Sequence, residues 1–211
     1  MVSSHLNRAA VARVLEELVQ GAWASTFDLF SPELIQGLAT EVAQRHQLGW
    51  MQPALIGRQV GLLHDGNQRG DSIQWLDPTG STAERSFLEA IEELMALIRS
   101  ELYVPVRTYE AHFACYEAGR HYAKHKDRFR DADERELSTV LFLNPEWKPQ
   151  DQGQLLIFDP DREDRVLAEV LPELGRFVLF RSDRVPHEVL APHKPRYSIA
   201  GWMRRQSGVL T

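Results

Sequence analysis

His125-Lys126-Asp127 sets an imidazole and a carboxylate two positions apart. In a strand or extended turn, residues i and i+2 point the same way. His187, in Arg184-Val185-Pro186-His187-Glu188, stands at the head of a late strand that antiparallel pairing could bring against them. Two histidines and one carboxylate on one face leave coordination positions open for substrate and oxygen, which is the ligand pattern of a non-haem Fe(II) centre. Taken alone, such a pair is more often a surface histidine beside a solvated carboxylate. His121 and His125 are four apart, but Tyr122 stands where a zinc-protease helix needs glutamate, so that chemistry fails. Arg196 follows His187 by nine residues, with Pro192 and Pro195 in a turn expected to return the chain antiparallel and set a guanidinium beside the metal. Its planar fork matches the far carboxylate of a small diacid whose other end chelates iron, and 2-oxoglutarate is such a diacid. A surface cation near Lys194 is the plainer reading of Arg196 by itself. His5, His46 and His64 have no acidic or histidine partner at ligand spacing and carry no role.

These side chains need a framework to hold them. Leu6, Ala9, Ala10, Val11, Val14, Leu15, Leu18 and Val19 recur at helical spacing, with Gly21 as a stop. Ser31-Pro32-Glu33 is a helix start, continued by Leu34, Leu38 and Val42 to about His46. Ser81-x-x-Glu84 is a capping box, followed by Phe87, Leu88, Ile91, Leu94, Met95 and Ile98 at helical steps. After Leu102 the period falls to two. Runs at Val106–Tyr116, Ser138–Asn144, Gln154–Phe158, Val166–Val170, Arg176–Arg181, Glu188–Ala191 and Tyr197–Met203 predict strands. The fold class is therefore α+β, mainly β, a sandwich or barrel braced by N-terminal helices. No linker or repeat divides the chain, so 1–211 is expected to be one domain, with 1–102 mostly helical support and 103–211 the β core.

The chain has 211 residues, and its 24 Lys plus Arg stand against 30 Asp plus Glu, a net charge of −6 that argues against nucleic-acid binding. Its single Cys115 excludes an intrachain disulfide and a cysteine-based zinc site, and fits a reducing compartment. Charges through Met1–Gln20 break any signal-peptide core or membrane span, which points to a cytoplasmic protein with no membrane partner.

Further motifs lie co-linear with the triad. They run from Arg69-Gly70-Asp71-Ser72-Ile73-Gln74-Trp75, through Ala114-Cys115-Tyr116, His121-Tyr122-x-x-His125-x-Asp127 and Leu143-Asn144, to Ser182-Asp183-Arg184-x-Pro186-His187-Glu188-Val189 and Arg196-Tyr197. Over most of its second half and the segment before it, the chain resembles the 2-oxoglutarate/Fe(II) dioxygenases. Among them it is most similar to the prolyl hydroxylases related to the animal enzymes that modify hypoxia-inducible factor. The resemblance implies a double-stranded β-helix (jelly-roll, cupin-like) core. It implies His125, Asp127 and His187 as iron ligands and Arg196 on the distal carboxylate of 2-oxoglutarate, with dioxygen as second cosubstrate. It places Tyr116, Tyr122, Leu155, Val189 and Trp202 around the cosubstrate pocket, although the last three read equally as plain core. A substrate loop near residues 64–77, with Gly66 and Gly70 as flexible points, would carry Arg69 and Asp71, and Asp71 is expected to meet Arg135. One departure stands out: Phe142 occupies the place of a tyrosine that helps hold the cosubstrate, and His112 is a candidate replacement donor.

The implied activity is protein prolyl 4-hydroxylation, yielding hydroxyproline, succinate and carbon dioxide. Bacterial relatives of this subfamily act on elongation factor Tu, which makes that protein the first candidate partner. Two other readings remain open: the same cofactors acting on a different side chain or a small molecule, and a catalytically idle barrel that senses a metal or acidic ligand.

Overall fold

Asn7 accepts the N–H groups of Ala9 and Ala10 at 3.1 and 3.4 Å, and the first helix, α1 (Arg8–Gly21), runs from there. Gly21 is its last residue rather than its stop: Ala22 takes the left-handed cap at φ 63°. Ser31 Oγ accepts the Leu34 N–H at 3.3 Å and Pro32 opens α2 (Pro32–Gln47). The capping box at α3 (Thr82–Leu102) forms as expected, with Ser81 Oγ accepting the Glu84 N–H at 3.0 Å and Glu84 Oε2 accepting the Ser81 N–H at 2.9 Å. The computed structural model describes residues 6–54, 68–128 and 134–205.

Among the described residues the strands are β1 (Trp23–Thr26), β2 (Gln52–Pro53), β3 (Asp71–Trp75), β4 (Thr108–Tyr116), β5 (Tyr122–His125), β6 (Arg135–Phe142), β7 (Leu155–Phe158), β8 (Val166–Val170), β9 (Phe177–Arg181), β10 (His187–Val189) and β11 (Arg196–Arg204). They build two antiparallel sheets, β1-β9-β6-β11-β4-β3-β2 and β5-β10-β7-β8. This is the jelly-roll architecture expected. All seven predicted strands are present within a few residues of their predicted ends. The four without a prediction, β1, β2, β3 and β5, are two to five residues long.

Two apolar layers follow from the two-residue period of the large sheet. One face of β4 sends Ala114 and Tyr116 to meet Leu155, Ile157 and Val189 of the small sheet. The other face sends Ala111, Phe113 and Cys115 against the helices, where Phe87, Ile91, Leu94, Met95 and Ile98 of α3 are fully buried. The helices therefore brace one face of the larger sheet, and the space between the sheets is left for the site.

Two expectations are corrected here. Residues 1–102 are not support alone, because β1, β2 and β3 form both edges of the large sheet. The segment near 64–77 is not all loop: Asp71–Trp75 pairs in register with β4 from Asp71↔Tyr116 to Trp75↔His112, because alternating Ile73 and Trp75 suit a sheet edge. Residues 64–67 of that segment, including Gly66, lie outside the described residues, as does His5. Among the described residues no helix is long and apolar enough to cross a membrane.

Candidate active site

β10 lies between β5 and β7, and its register sets His187 directly opposite His125. The pairing predicted from spacing therefore exists as a cross-strand pair, with ring centroids 4.3 Å apart. Asp127, just past β5, closes the group: its Oδ1 lies 3.6 Å from His125 Nε2 and its Oδ2 3.7 Å from His187 Nε2. One donor atom from each residue falls within 4.8 Å of the others. Each imidazole is turned by its other nitrogen, for His125 Nδ1–H donates to Ala123 O at 2.8 Å and His187 Nδ1–H to Val185 O at 3.2 Å. That fixes the tautomer and leaves both Nε2 lone pairs facing Asp127, as a metal requires. Tyr122 stacks on His125 at 3.7 Å and Phe180 packs on His187 at 4.6 Å, locking both rings.

The electrostatics agree with that arrangement. Burial opposes a charge on Asp127, but His187, His125 and the Ser138 hydroxyl outweigh it and hold the carboxyl well below the usual range. Burial and the neighbouring His125 push His187 down to about 4, so it is neutral near pH 7. A carboxylate facing the Nε2 atoms of two imidazoles suits a divalent cation with O and N ligands, such as Fe(II).

Arg196 faces the same pocket, but not by the hairpin expected from Pro192 and Pro195. β10 belongs to the small sheet and β11 to the large one, so the connection crosses the sandwich and brings the guanidinium from the opposite wall. Arg196 is 1% exposed. Its Nε donates to Gly153 O at 2.8 Å, and its guanidinium lies between the rings of Phe142 at 4.8 Å and Tyr116 at 5.2 Å. Among the described residues it has no carboxylate at ion-pair distance. Burial lowers it to about 10, which leaves it charged at neutral pH. A buried cation lacking an anion fits a ligand carboxylate. Burial raises the Tyr116 and Tyr122 phenols, so both are protonated, and among the described residues neither hydroxyl has a hydrogen-bond partner.

The pocket is a partly open cleft between the two sheets. Leu155, Val189 and Trp202 line it, as the resemblance implied, and so do Arg69, Asp71 and Arg135. The expected Asp71–Arg135 contact is replaced: Arg69, two residues before Asp71, grips it through Nε at 2.7 Å and Nη2 at 2.9 Å. Arg135 instead lies over Trp202 at 3.9 Å and donates weakly to Glu110 and to Asp127 O at 3.4 Å. His112 is buried between Trp75 and Trp202, four residues along β4 from Tyr116, with Nδ1 on Phe113 O at 3.2 Å. At about 3.3 Å of rise per residue it sits roughly 13 Å from the level of Arg196, too far to replace the hydroxyl missing at Phe142.

Sequence reasoning missed Gly153, Phe180, Ser198 and Ala200. Arg196, Ser198, Ala200 and Trp202 all line the pocket, so counting in twos from Arg196 finds the strand's inner face. Gly153 has no comparable signal. Its φ is +76°, and a Cβ there would lie 2.9 Å from Pro192 Cβ and 3.2 Å from Arg196 Cδ.

Comparison with known proteins follows this geometry. The family described as the 2OG-Fe(II) oxygenase superfamily matches residues 111–204, a stretch containing His125, Asp127, His187 and Arg196. Human Egl nine homolog 1 is 28% identical over 184 residues, covering 83% of this chain and 42% of that protein. The chain spans about half the length of the curated relatives it matches. The crystal structure of a Pseudomonas putida prolyl-4-hydroxylase superposes with TM-score 0.83 at 38% identity, covering 93% of this chain and 99% of that one. A prolyl hydroxylase from Trichoplax adhaerens, in complex with a hypoxia inducible factor peptide fragment, superposes with TM-score 0.81 at 26% identity over 92% of this chain and 88% of that one. With a 38% identical relative covered almost end to end, and a matched stretch that includes both sides of the pocket, the chain belongs to the 2-oxoglutarate/Fe(II) oxygenases.

Proposed function

We propose that this chain is an Fe(II)- and 2-oxoglutarate-dependent protein prolyl 4-hydroxylase that makes hydroxyproline with release of succinate and carbon dioxide. The observation that carries this reading is the His125–His187 cross-strand pair closed by Asp127, in one pocket with a buried guanidinium that, among the described residues, has no carboxylate of its own. The relatives that are prolyl hydroxylases, one of them bound to a peptide, support a prolyl residue in a polypeptide as the substrate.

Bound there, Fe(II) with 2-oxoglutarate and dioxygen supplies the oxidising chemistry that places one oxygen atom on the prolyl ring. The chain's own residues bind and orient. His125, Asp127 and His187 would hold the metal through two imidazole nitrogens and one carboxylate oxygen. Arg196 takes the distal carboxylate of 2-oxoglutarate as a fork, while the Tyr116 and Tyr122 hydroxyls donate within the pocket. Leu155, Val189 and Phe180 exclude water around these charges, which strengthens them. No side chain is required as general base. Arg69, Asp71 and Arg135 line the same pocket and are assigned to the polypeptide, with Trp202 on the cosubstrate wall. Elongation factor Tu is the first candidate substrate, by the resemblance to bacterial relatives.

The test is incubation with Fe(II), 2-oxoglutarate and proline-containing peptides, including segments of elongation factor Tu. A mass gain of one oxygen on proline with matching succinate is expected. Turnover confined to non-prolyl substrates rejects the prolyl assignment, and absence of succinate release from the Fe(II)-loaded protein rejects the enzyme. His187→Ala should abolish both signals while the folded protein persists.

A further inference from the structure

The reverse side of β4 carries a second set of metal-binding side chains. Tyr116 points into the pocket, so Cys115 and Glu117 on either side of it share the opposite face, toward the helices. The last turn of α2 brings His46 there. A His46 ring nitrogen, the Cys115 sulfur and a Glu117 carboxylate oxygen lie within 4.8 Å of one another. His46 Nε2 meets Glu117 Oε1 at 2.6 Å and its Nδ1 meets the Tyr197 hydroxyl at 3.0 Å. Cys115 is 1% exposed, whereas the His46 and Glu117 side chains are 25% and 53% exposed, so the cluster is closed on the sulfur side and open to solvent on the other. The linear spacing that offered His46 no partner is irrelevant once the fold has joined α2 to the end of β4.

We propose that His46, Cys115 and Glu117 form a second metal site, separate from the His125, Asp127 and His187 group, for a borderline-soft divalent cation such as Zn²⁺. The donor set decides the class of ion: a thiolate with an imidazole favours Zn²⁺ over hard cations, and three protein donors leave a fourth tetrahedral position for water. Tyr197 stands as the outer partner that orients the imidazole. On binding, the imidazole shifts to the Nδ1–H tautomer, which donates to the Tyr197 hydroxyl and frees Nε2 for the cation; Glu117 exchanges its contact with the imidazole for one with the cation, and the thiol proton leaves to solvent. The site lies directly behind the cosubstrate clamp, since Cys115↔Tyr197 and Tyr116↔Arg196 are adjacent cross-strand pairs.

Cobalt(II) titration of the metal-free full chain tests this. Cys115 is the only cysteine, so a near-ultraviolet sulfur-to-cobalt charge-transfer band has no other source. The expected result is a second cobalt per chain that carries this band and is displaced by Zn²⁺. The band should persist in the double variant His125→Ala/His187→Ala, which separates this site from the proposed catalytic one. Cys115→Ser should abolish it. Glu117→Gln, at an exposed side chain that does not endanger folding, should weaken cobalt binding about tenfold or more. Absence of the band in the wild-type chain, its survival in Cys115→Ser, or unchanged affinity in Glu117→Gln overturns the site.

Discussion

Arg196 shows what a single residue contributes and how much of its role a sequence displays. Its type and its distance from His187 already suggested a carboxylate clamp, because few intracellular duties need a guanidinium beside a metal-binding pattern. One support was not visible: Gly153 accepts from Nε across a turn, whereas Phe142, already read as standing in place of a tyrosine, covers one face with its ring. Arg196→Ala should raise the KM for 2-oxoglutarate by about 10- to 100-fold, as the loss of a hydrogen bond to a charged group implies, with a smaller effect on kcat. Succinate release measured against 2-oxoglutarate concentration reads this, and an unchanged KM rejects the clamp. His112 gives a second prediction. Burial, then the Arg69 charge, hold it down to about 4 against the opposing pull of Asp71 and the Phe113 carbonyl, with Arg135 adding to the fall. The unfolded chain protonates this imidazole near its ordinary 6.5, whereas the folded chain resists until about 4. Falling pH therefore favours the unfolded state across that window. The contribution of His112 to stability is whole above pH 6.5 and declines by about 3 kcal/mol toward pH 4. Denaturant unfolding from pH 7 to 4.5 should show a shallower decline in His112→Leu than in the wild type, and parallel curves refute the argument.

Elements were legible in proportion to their length and caps. Ser31-Pro32 and Ser81-x-x-Glu84 mark helix starts by local hydrogen bonds, and those helices are where the sequence placed them. β5 has four residues of mixed exposure, and its register against β10 is a contact across some sixty residues that no local pattern encodes. Ser81→Ala removes the cap on α3 and the hydroxyl's 2.6 Å bond to Glu41, which should cost about 1–2 kcal/mol in chemical denaturation. The KM for 2-oxoglutarate should not change, since α3 packs on the sheet face turned away from the pocket. Gly153→Ala should behave in the opposite way. The added methyl meets Pro192 and the Arg196 side chain, so the turn before β7 shifts the guanidinium and raises the KM for 2-oxoglutarate by about tenfold or more, with a stability loss of about 1–2 kcal/mol. If the stability loss came without a change in KM, the role of Gly153 in setting Arg196 would be wrong.

At the scale of the whole molecule, the change of period at Leu102 suggested a helical half and a β half, and the sheet order shows why that boundary is not a structural one. The second half supplies the middle of the large sheet, and the first half supplies its edges, β1 against β9 on one side and β3 with β2 against β4 on the other. Edge strands and helices together cover what the second half would otherwise expose: Phe113, Leu137, Leu141, Phe177, Leu179 and Ile199 are all nearly fully buried against the helical layer. Each such side chain returned to water costs about 1.5–3 kcal/mol, so losing this set of six is as large as the whole 5–15 kcal/mol by which a domain is typically stable. The fragment 103–211, although it contains every proposed iron ligand, should therefore lack a cooperative thermal transition and bind no Fe(II) stoichiometrically. The full chain should unfold in one transition detected alike by far-ultraviolet circular dichroism and by tryptophan fluorescence, because Trp23 and Trp75 report on the edge strands and Trp202 on the pocket. A fragment that folds and binds iron, or two separated transitions in the full chain, would show that the halves are independent and that the site needs only the second.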